Sequence, residues 1–198
     1  MYAVASFCSA AENETAKWQA GIDRASASGG GVVSVPAGVH RVGGLELRSN
    51  VELRLEKGAV LEALYGLENY RVVKLPYSEG DWSAIVMGLN VTNAAVTGDG
   101  TIDGRGALWP PTPKGFKGCH EGLRPRGLFF AYSKDIRLEG YTLRNTALNA
   151  AISSLAATAL VATATSANAR ERTMISPSPK VLTQKPDQGT FRSRGASA

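Results

Sequence analysis

Gly98–Asp99–Gly100–Thr101–Ile102–Asp103–Gly104–Arg105–Gly106 decides how this chain is read. Four glycines in nine positions exclude a helix, where each Gly costs up to roughly 1 kcal/mol. They suit a backbone that turns sharply and needs φ > 0 at several places. Single apolar residues, Val96 and Ile102, sit between the turns among polar or small neighbours. The pattern predicts short strand, tight turn, short strand.

The design recurs on both sides. Upstream, Ser49–Asn50–Val51–Glu52–Leu53–Arg54–Leu55–Glu56–Lys57–Gly58–Ala59–Val60–Leu61 alternates apolar and polar residues, breaks at Gly58 and resumes. Downstream, Asp135–Ile136–Arg137–Leu138–Glu139–Gly140–Tyr141–Thr142–Leu143–Arg144–Asn145 does the same around Gly140. The marker glycines Gly58, Gly98 and Gly140 lie 40 and 42 residues apart, a spacing that calls for a repeat architecture. Each unit has one apolar face too small to bury alone, so the units must stack. A parallel β-helix and a hairpin-built β-sandwich both fit. Hairpins want Asn-Gly or Asp-Gly loops between matched strands. Asp99–Gly100 and Asp103–Gly104 lie too close together to bound a strand of about five or six residues. The β-helix is the better expectation.

The same residues carry a resemblance. Gly98 to Gly106, followed by Leu108–Trp109, resembles the N-terminal half of glycoside hydrolase family 28, the polygalacturonase-like family of the pectin-lyase-like superfamily. Gln19–Ala20–Gly21–Ile22–Asp23, Gly29 through Gly38, and Leu47–Arg48–Ser49–Asn50–Val51–Glu52–Leu53 extend it. So does Arg124–Pro125–Arg126–Gly127 through Leu143–Arg144–Asn145–Thr146, giving a match over about residues 12 to 146. The resemblance implies an all-β, right-handed parallel β-helix with an N-terminal capping helix, incomplete at its C-terminal end. It also implies a pectic polysaccharide or oligogalacturonide as partner and hydrolysis of its O-glycosidic bonds without metal or other cofactor.

Composition limits the alternatives. The chain has 198 residues, 43% hydrophobic, and a formal net charge of +5. That charge is uneven: residues 1–144 hold 16 Lys/Arg against 15 Asp/Glu, residues 145–198 six against two. The basic excess belongs to the tail and does not mark a nucleic-acid face. No apolar run reaches transmembrane length, and Met1–Tyr2–Ala3–Val4–Ala5–Ser6–Phe7 lacks the basic start of a secretory signal. No membrane partner and no compartment follow. Cys8 and Cys119 fit no metal spacing; free thiols are expected, a disulfide being the alternative. Asn13–Glu14–Thr15 and Asn90–Val91–Thr92 match the glycosylation sequon.

Along the chain, Trp18, Gly21, Ile22 and Ala25 fall on one face of a helix near 15–28. Laid across an open end of a β-helix, it would cap exposed sheet edges. Val32 to Ala63 reads as short strands with turns at Pro36–Ala37–Gly38, Gly43–Gly44 and Lys57–Gly58. Residues 64–82, with Tyr65, Tyr70, Tyr77 and Trp82, read as a loop whose aromatics pack on the coil exterior or stack on sugar. Ala84 to Val96 resumes strand, residues 107–123 form a second long loop, and Leu128 to Leu143 is the last clear coil. Two parts follow: 1–146, the capped coils, and 147–198, an aberrant Ala/Ser/Thr/Pro-rich tail. Only two of the 22 glycines, Gly189 and Gly195, lie in that tail. A frameshift near codon 147 explains the break, with a genuine extension the alternative. Alanine content allows a helix over 147–168, and the remainder has a disordered composition. A bare C-terminal sheet edge would favour self-association.

Glycoside hydrolysis needs an acid and a base carboxyl, roughly 6.5–9.5 Å apart in inverting enzymes. The resembled family places three aspartates in Asn-Thr-Asp and Asp-Asp motifs, followed by Gly-His-Gly and Arg-Ile-Lys, and none of these occurs here. Asn145–Thr146 is followed by Ala147. No residue is therefore assigned as catalytic. Asp99 and Asp103 form a tempting pair, but Asp between glycines bonds its own backbone, and the family motif they match is structural. His40 is isolated. Cys119, His120 and Glu121 are neighbours in sequence only, so no nucleophile or metal site is expected. Gly98, Gly100 and Gly104 miss the dinucleotide spacing by one residue. Arg124 and Arg126 are expected at solvated turns, the alternative being contact with an anionic sugar. A pectate-lyase-like activity would need a cluster of acids for calcium, and none is visible. The rival to an enzyme remnant is a non-catalytic β-helix that binds carbohydrate or serves a structural role.

Overall fold

The computed structural model describes residues 13–75, 81–109 and 124–147, and the backbone of strands at 151–154, 160–166 and 173–175. Cys8, Tyr77, Cys119, His120 and Glu121, and with them the thiol and sequence-neighbour questions, lie outside these residues.

Helix α1 spans Thr15–Ala27. A first coil follows with β1 (Gly31–Val35), β2 (Gly38–Val42) and β3 (Leu45–Glu46), broken at the Pro36–Ala37 and Gly43–Gly44 turns. The second coil holds β4 (Val51–Leu55), β5 (Ala59–Ala63), an outlying pair β6 (Val73–Lys74) and β7 (Asp81–Trp82), then β8 (Ala84–Leu89). The third holds β9 (Thr92–Gly98), β10 (Thr101–Asp103) and β11 (Arg126–Ala131). Strands β12 (Lys134–Arg144) and β13 (Ala151–Ser154) continue the winding, as do β14 (Leu160–Ser166) and β15 (Thr173–Ile175).

Each coil lays its strands beside their counterparts one coil away, in parallel. The ladders are β1–β4–β9–β12, β2–β5–β10–β12 and β3–β8–β11–β13–β15, with β14 beside β12. Strand β12 belongs to two ladders: Lys134–Glu139 pairs with β9 and Thr142–Arg144 with β10, bending at Gly140, whose φ is 86°. This is a parallel β-helix with three sides. The hairpin-built sandwich is excluded, since the only antiparallel pair among the described residues is β6–β7.

Registers explain the 40-residue spacing. Gly31 faces Val51, but Glu52 faces Ala95 and Ala95 faces Arg137. A bare coil therefore takes about twenty residues, and the longer unit from Glu52 to Ala95 is one coil plus the residues around the β6–β7 pair; most of the second expected loop, residues 110–123, lies outside the described residues. The marker glycines are also not equivalent. Gly98 stands opposite Leu55, and Gly140 lies directly over Gly98, while Gly58 lies three residues along the corner. At Gly98 (φ 102°) a Cβ would sit 2.1 Å from the Leu55 carbonyl oxygen, so only glycine fits.

Stacked side chains fill the interior. Val33, Leu53, Val96 and Leu138 form one inward column; His40, Leu61, Ile102 and Leu143 form another. Leu45, Val86 and Leu128 form the third. Leu53, Leu61, Val96, Ile102 and Leu128 are fully buried, each such side chain contributing about 1.5–3 kcal/mol of transfer free energy. Where Ala84 to Val96 reads as one strand, two are found, parted by Asn90 at φ 54°. Asn50, Asn93 and Asp135 share a second left-handed corner (φ 61°, 55° and 53°), and the Asn93 amide donates to Asn50 Oδ1 at 3.1 Å. Asn and Asp tolerate this conformation because their short polar side chains bond locally.

The capping helix works through hydrogen bonds as well as burial. Trp18 and Ile22 are buried against the first coil. The Gln19 amide both donates to Glu46 O (3.0 Å) and accepts from Glu46 N (2.8 Å), completing the free edge of β3. Thr15 Oγ1 accepts from Gly43 N at 2.7 Å, and Glu14 N donates to Arg41 O at 2.9 Å. Edge amides that would otherwise template another chain are thus occupied.

The helix that alanine content allows over 147–168 does not form: residues 151–154 and 160–166 are strands. Strand β13 pairs with β11, and β14 with β12. An existing strand edge offers a row of unpaired N–H and C=O groups, which outweighs the small propensity differences among Ala, Ser and Thr. No helix among the described residues is long and apolar enough to cross a membrane.

Two buried phenols give the fold an alkaline limit. Burial pushes Tyr70 and Tyr141 well above the usual phenol range, Tyr70 despite the opposing charge of Arg105. A folded-state value raised above the unfolded one gives stability that is present below the unfolded value and lost as pH rises past it. Unfolding free energy should therefore fall as pH climbs beyond about 10. In an alkaline titration, two of the six tyrosines should ionise only together with the loss of the β-sheet signal.

Candidate functional site

The two aspartates of the deciding stretch part company in the structure. Asp99 is exposed at the corner between β9 and β10, whereas Asp103 is buried at the end of β10. Asp103 faces outward between Glu62 and Arg144, in a column that runs Arg41, Glu62, Asp103, Arg144 across four strand segments. Arg41 Nε donates to Glu62 at 2.6 Å and Arg144 Nε to Asp103 at 2.8 Å. Asp103 also accepts from the Arg105 backbone N–H at 3.0 Å and from the Asn145 amide at 3.2 Å. Arg105 takes φ 46°, the turn geometry expected beside Asp. With both oxygens engaged, Asp103 is a structural clamp. Asp103→Ala should cost about 1–3 kcal/mol, the price of leaving its donors unmet. Asp99→Ala should stay within about 0.5 kcal/mol. Urea unfolding of the two variants checks this, and the reverse order would reject the assignment.

Beside this column lies a groove of about 540 Å³ lined by Glu62, Asp103, Arg105, Gly106–Leu108, Asn145 and Thr146. Arg105 reaches back to Glu62 at 3.7 Å. Sequence reasoning missed the Glu62–Asp103 neighbourhood because the two residues are 41 apart and meet only through strand register. The aromatics of the first loop divide. Tyr70 is buried, its hydroxyl donating to Leu64 O at 2.6 Å, and its ring contacts Trp109. Tyr65 stays 57% exposed with its ring 5.1 Å from that of Trp109.

A second polar centre occupies the outer face of β4, β9 and β12. Glu52 accepts from Arg54 (2.8 Å), Thr97 Oγ1 (2.7 Å) and Arg137 (2.7 Å). Burial raises its carboxyl, but the bonds from Thr97 and Arg54 and the nearby guanidiniums hold it below the usual carboxylate range. Arg137 also pairs with Glu139. These contacts are the cross-strand pairs that stabilise sheets, and they engage the Glu52 carboxylate on both oxygens.

The other sequence candidates lie apart. His40 caps its inward column beneath α1, with Nδ1 at 3.2 Å from Glu14 and Nε2 at 3.0 Å from Pro36 O. Arg126 is not at a solvated turn. It is fully buried at the start of β11, its guanidinium 4.0 Å from the Trp82 ring centroid, and Trp82 stacks on Phe129. The polar head tolerates burial there because an aromatic face attracts it. Arg124 is half-buried and donates to Trp109 O at 3.3 Å. Among the described residues, no three His, Cys, Asp or Glu side chains converge as metal ligands would.

Comparison with known proteins gives this geometry a context. No protein-family model matches the chain. A Vitis vinifera protein named "Probable polygalacturonase" is 34% identical over 133 residues, 63% of this chain and 27% of that protein. The chain thus spans about a quarter of the length of that relative. A candidate glycosyl hydrolase of known structure from Parabacteroides merdae is 28% identical, with a TM-score of 0.61 over 72% of this chain and 62% of that one. The family 28 exopolygalacturonase of Yersinia enterocolitica shares the fold at 19% identity and a TM-score of 0.61, over 79% of this chain and 36% of its own. Through the part that is matched, the chain is similar to a protein named a polygalacturonase, and its right-handed parallel β-helix is the fold of these solved glycoside hydrolases.

Proposed function

We propose that this chain carries N-terminal coils of a polygalacturonase-type glycoside hydrolase and that these coils alone do not cleave pectic polysaccharide. The supporting observation is the state of its carboxylates. Glu52, Glu62 and Asp103, on the outer faces of the coils, are each held by arginine. Inverting hydrolysis requires one carboxyl free to give a proton and another free to activate water. The Asn-Thr-Asp, Asp-Asp, Gly-His-Gly and Arg-Ile-Lys motifs of the resembled family are absent from the whole sequence. The composition change after residue 146 fits a reading frame lost near that point; the nucleotide sequence tests it, and an uninterrupted frame shared by related genes would overturn it.

Release of reducing ends from polygalacturonate is the direct measurement. Background rates are expected from the purified chain, and turnover above them would refute the proposal. A second reading, a β-helix that binds pectic chains without cutting them, is favoured by the groove beside Asp103. Retention on immobilised polygalacturonate without product release would support it.

A further inference from the structure

The sequon Asn90–Val91–Thr92 has no part in the proposal above. In the fold it spans the corner from β8 to β9. Val91 is buried in the core, so Asn90 and Thr92, one residue to either side, both stand outward and exposed. Asn90 takes φ 54°, a left-handed conformation that asparagine tolerates. The backbone of this corner is held by the neighbouring coils: Asn90 N donates to Ala131 O at 3.0 Å, and Thr92 N to Ser49 Oγ at 3.0 Å. Among the described residues, neither the Asn90 carboxamide nor the Thr92 hydroxyl makes a hydrogen bond. Leu89 faces Ala131 in the β8–β11 ladder, so the next residues, Asn90 and Tyr132, share the corner one coil apart. Tyr132 also takes φ 54° and leaves its side chain exposed. The other sequon, Asn13–Glu14–Thr15, is tied into the cap. Asn13 Oδ1 accepts from Thr15 N at 3.0 Å and from Thr15 Oγ1 at 2.6 Å, while Thr15 Oγ1 accepts from Gly43 N at 2.7 Å. Asn13 Nδ2 lies 3.5 Å from Asn69 Oδ1.

We infer that Asn90 is an attachment site for an N-linked oligosaccharide and that Asn13 is not. In the transfer, Asn90 Nδ2 attacks the anomeric carbon of an oligosaccharide carried on a lipid diphosphate. The N–C bond forms as the anomeric C–O bond breaks. The nitrogen gives up one of its two protons to solvent, and the lipid diphosphate leaves with the bonding electrons. An attached glycan is bulky and needs a surface position. At Asn90 it leaves the corner without displacing any side-chain contact, and its first sugar lies against Tyr132, whose ring is an apolar body with a polar tip. At Asn13 a sugar on Nδ2 would meet Asn69 and draw the Thr15 hydroxyl away from Gly43 N, undoing a bond that holds the cap. The site stands apart from the groove beside Asp103, and its oligosaccharide is covalent, neither substrate nor ligand. The inference therefore does not rest on the pectic reading.

The test expresses the full chain behind a cleavable secretion signal in a eukaryotic host that makes N-glycans. Asn90→Gln, Thr92→Ala, Thr92→Ser and Asn13→Gln are expressed beside it, and protein from the secretory pathway is recovered whether secreted or retained. Peptide mapping after treatment with peptide-N-glycosidase, which turns a glycosylated asparagine into the acid, reads the site. The expected result is one glycan, on Asn90. It is lost completely in Asn90→Gln and Thr92→Ala, and kept in Thr92→Ser and Asn13→Gln. Enzymatic removal of the glycan from the folded parent should lower its melting temperature, and Tyr132→Ala should abolish that shift. A parent chain without a glycan on Asn90 overturns the inference. A glycan on Asn13 overturns the exclusion of that site. An equal melting shift with and without the Tyr132 ring overturns the contact between sugar and ring. The reducing-end assay judges the enzyme reading separately, so failure of one leaves the other standing.

Discussion

Gly98→Ala is expected to be among the most destabilising single substitutions in this chain, at about 2–6 kcal/mol. The new Cβ would lie 2.1 Å from the Leu55 carbonyl oxygen and 2.9 Å from its carbon, both backbone atoms of the coil below. Neither can move without breaking the β4–β9 ladder. The residue would also be forced to φ 102°, where L side chains are strained. Strain of about 1–3 kcal/mol and overpacking of about 1–3 kcal/mol together reach a large share of a typical domain stability of about 5–15 kcal/mol. Gly29→Ala is the control. Its φ is similar, 93°, but nothing lies within 4 Å of the place its methyl group would take, so only the strain of about 1–3 kcal/mol remains. Thermal melts followed by circular dichroism compare the two. Equal losses would show that backbone strain, not coil spacing, sets the requirement at Gly98.

Shortening Ile102 to alanine is expected to cost about 2–5 kcal/mol. Ile102 is fully buried, with Leu61 on one side and Leu143 on the other. In a stacked column neither neighbour can collapse into the gap without pulling its own strand out of register, so the cavity term persists. Ile102→Val should cost only about 0.5–1.5 kcal/mol. Val39→Ala, at an exposed valine on the free edge of β2, should stay within about 0.5 kcal/mol. Urea midpoints that shift in this order at constant slope would confirm column packing. A negligible loss at Ile102 would mean that the second ladder does not hold the coils together.

The stacked parallel coils were legible in the glycine punctuation and in the alternation around Val51–Leu55, Val96 and Ile136–Leu143; that they have three sides was not. Inward positions along a strand are fixed by its period of two, so the core residues followed once the strands were recognised. The capping helix was legible for a similar reason, since Trp18 and Ile22 share one helical face. Coil length was not legible. One coil plus one loop has the same 40-residue spacing as a longer unit, and a loop leaves no periodic mark of its own. Arg126 was misread because a lone arginine beside Pro125 and Gly127 resembles a turn. The Trp82 ring that its guanidinium faces lies 44 residues earlier in the chain and comes to it only through the fold.

Sequence alone indicated stacked β-helix coils, the position of the cap and the absence of the acid–base motifs, because each depends on residues close together in the chain. Tertiary structure decided which outward residues meet. Arg41, Glu62, Asp103 and Arg144 are separated by 21 to 41 residues at each step and become neighbours only through parallel strand register. Register depends on how whole coils pack and how much chain their loops consume. Local propensity carries no information about either, so the charge column and the groove beside it could be read only from the folded chain.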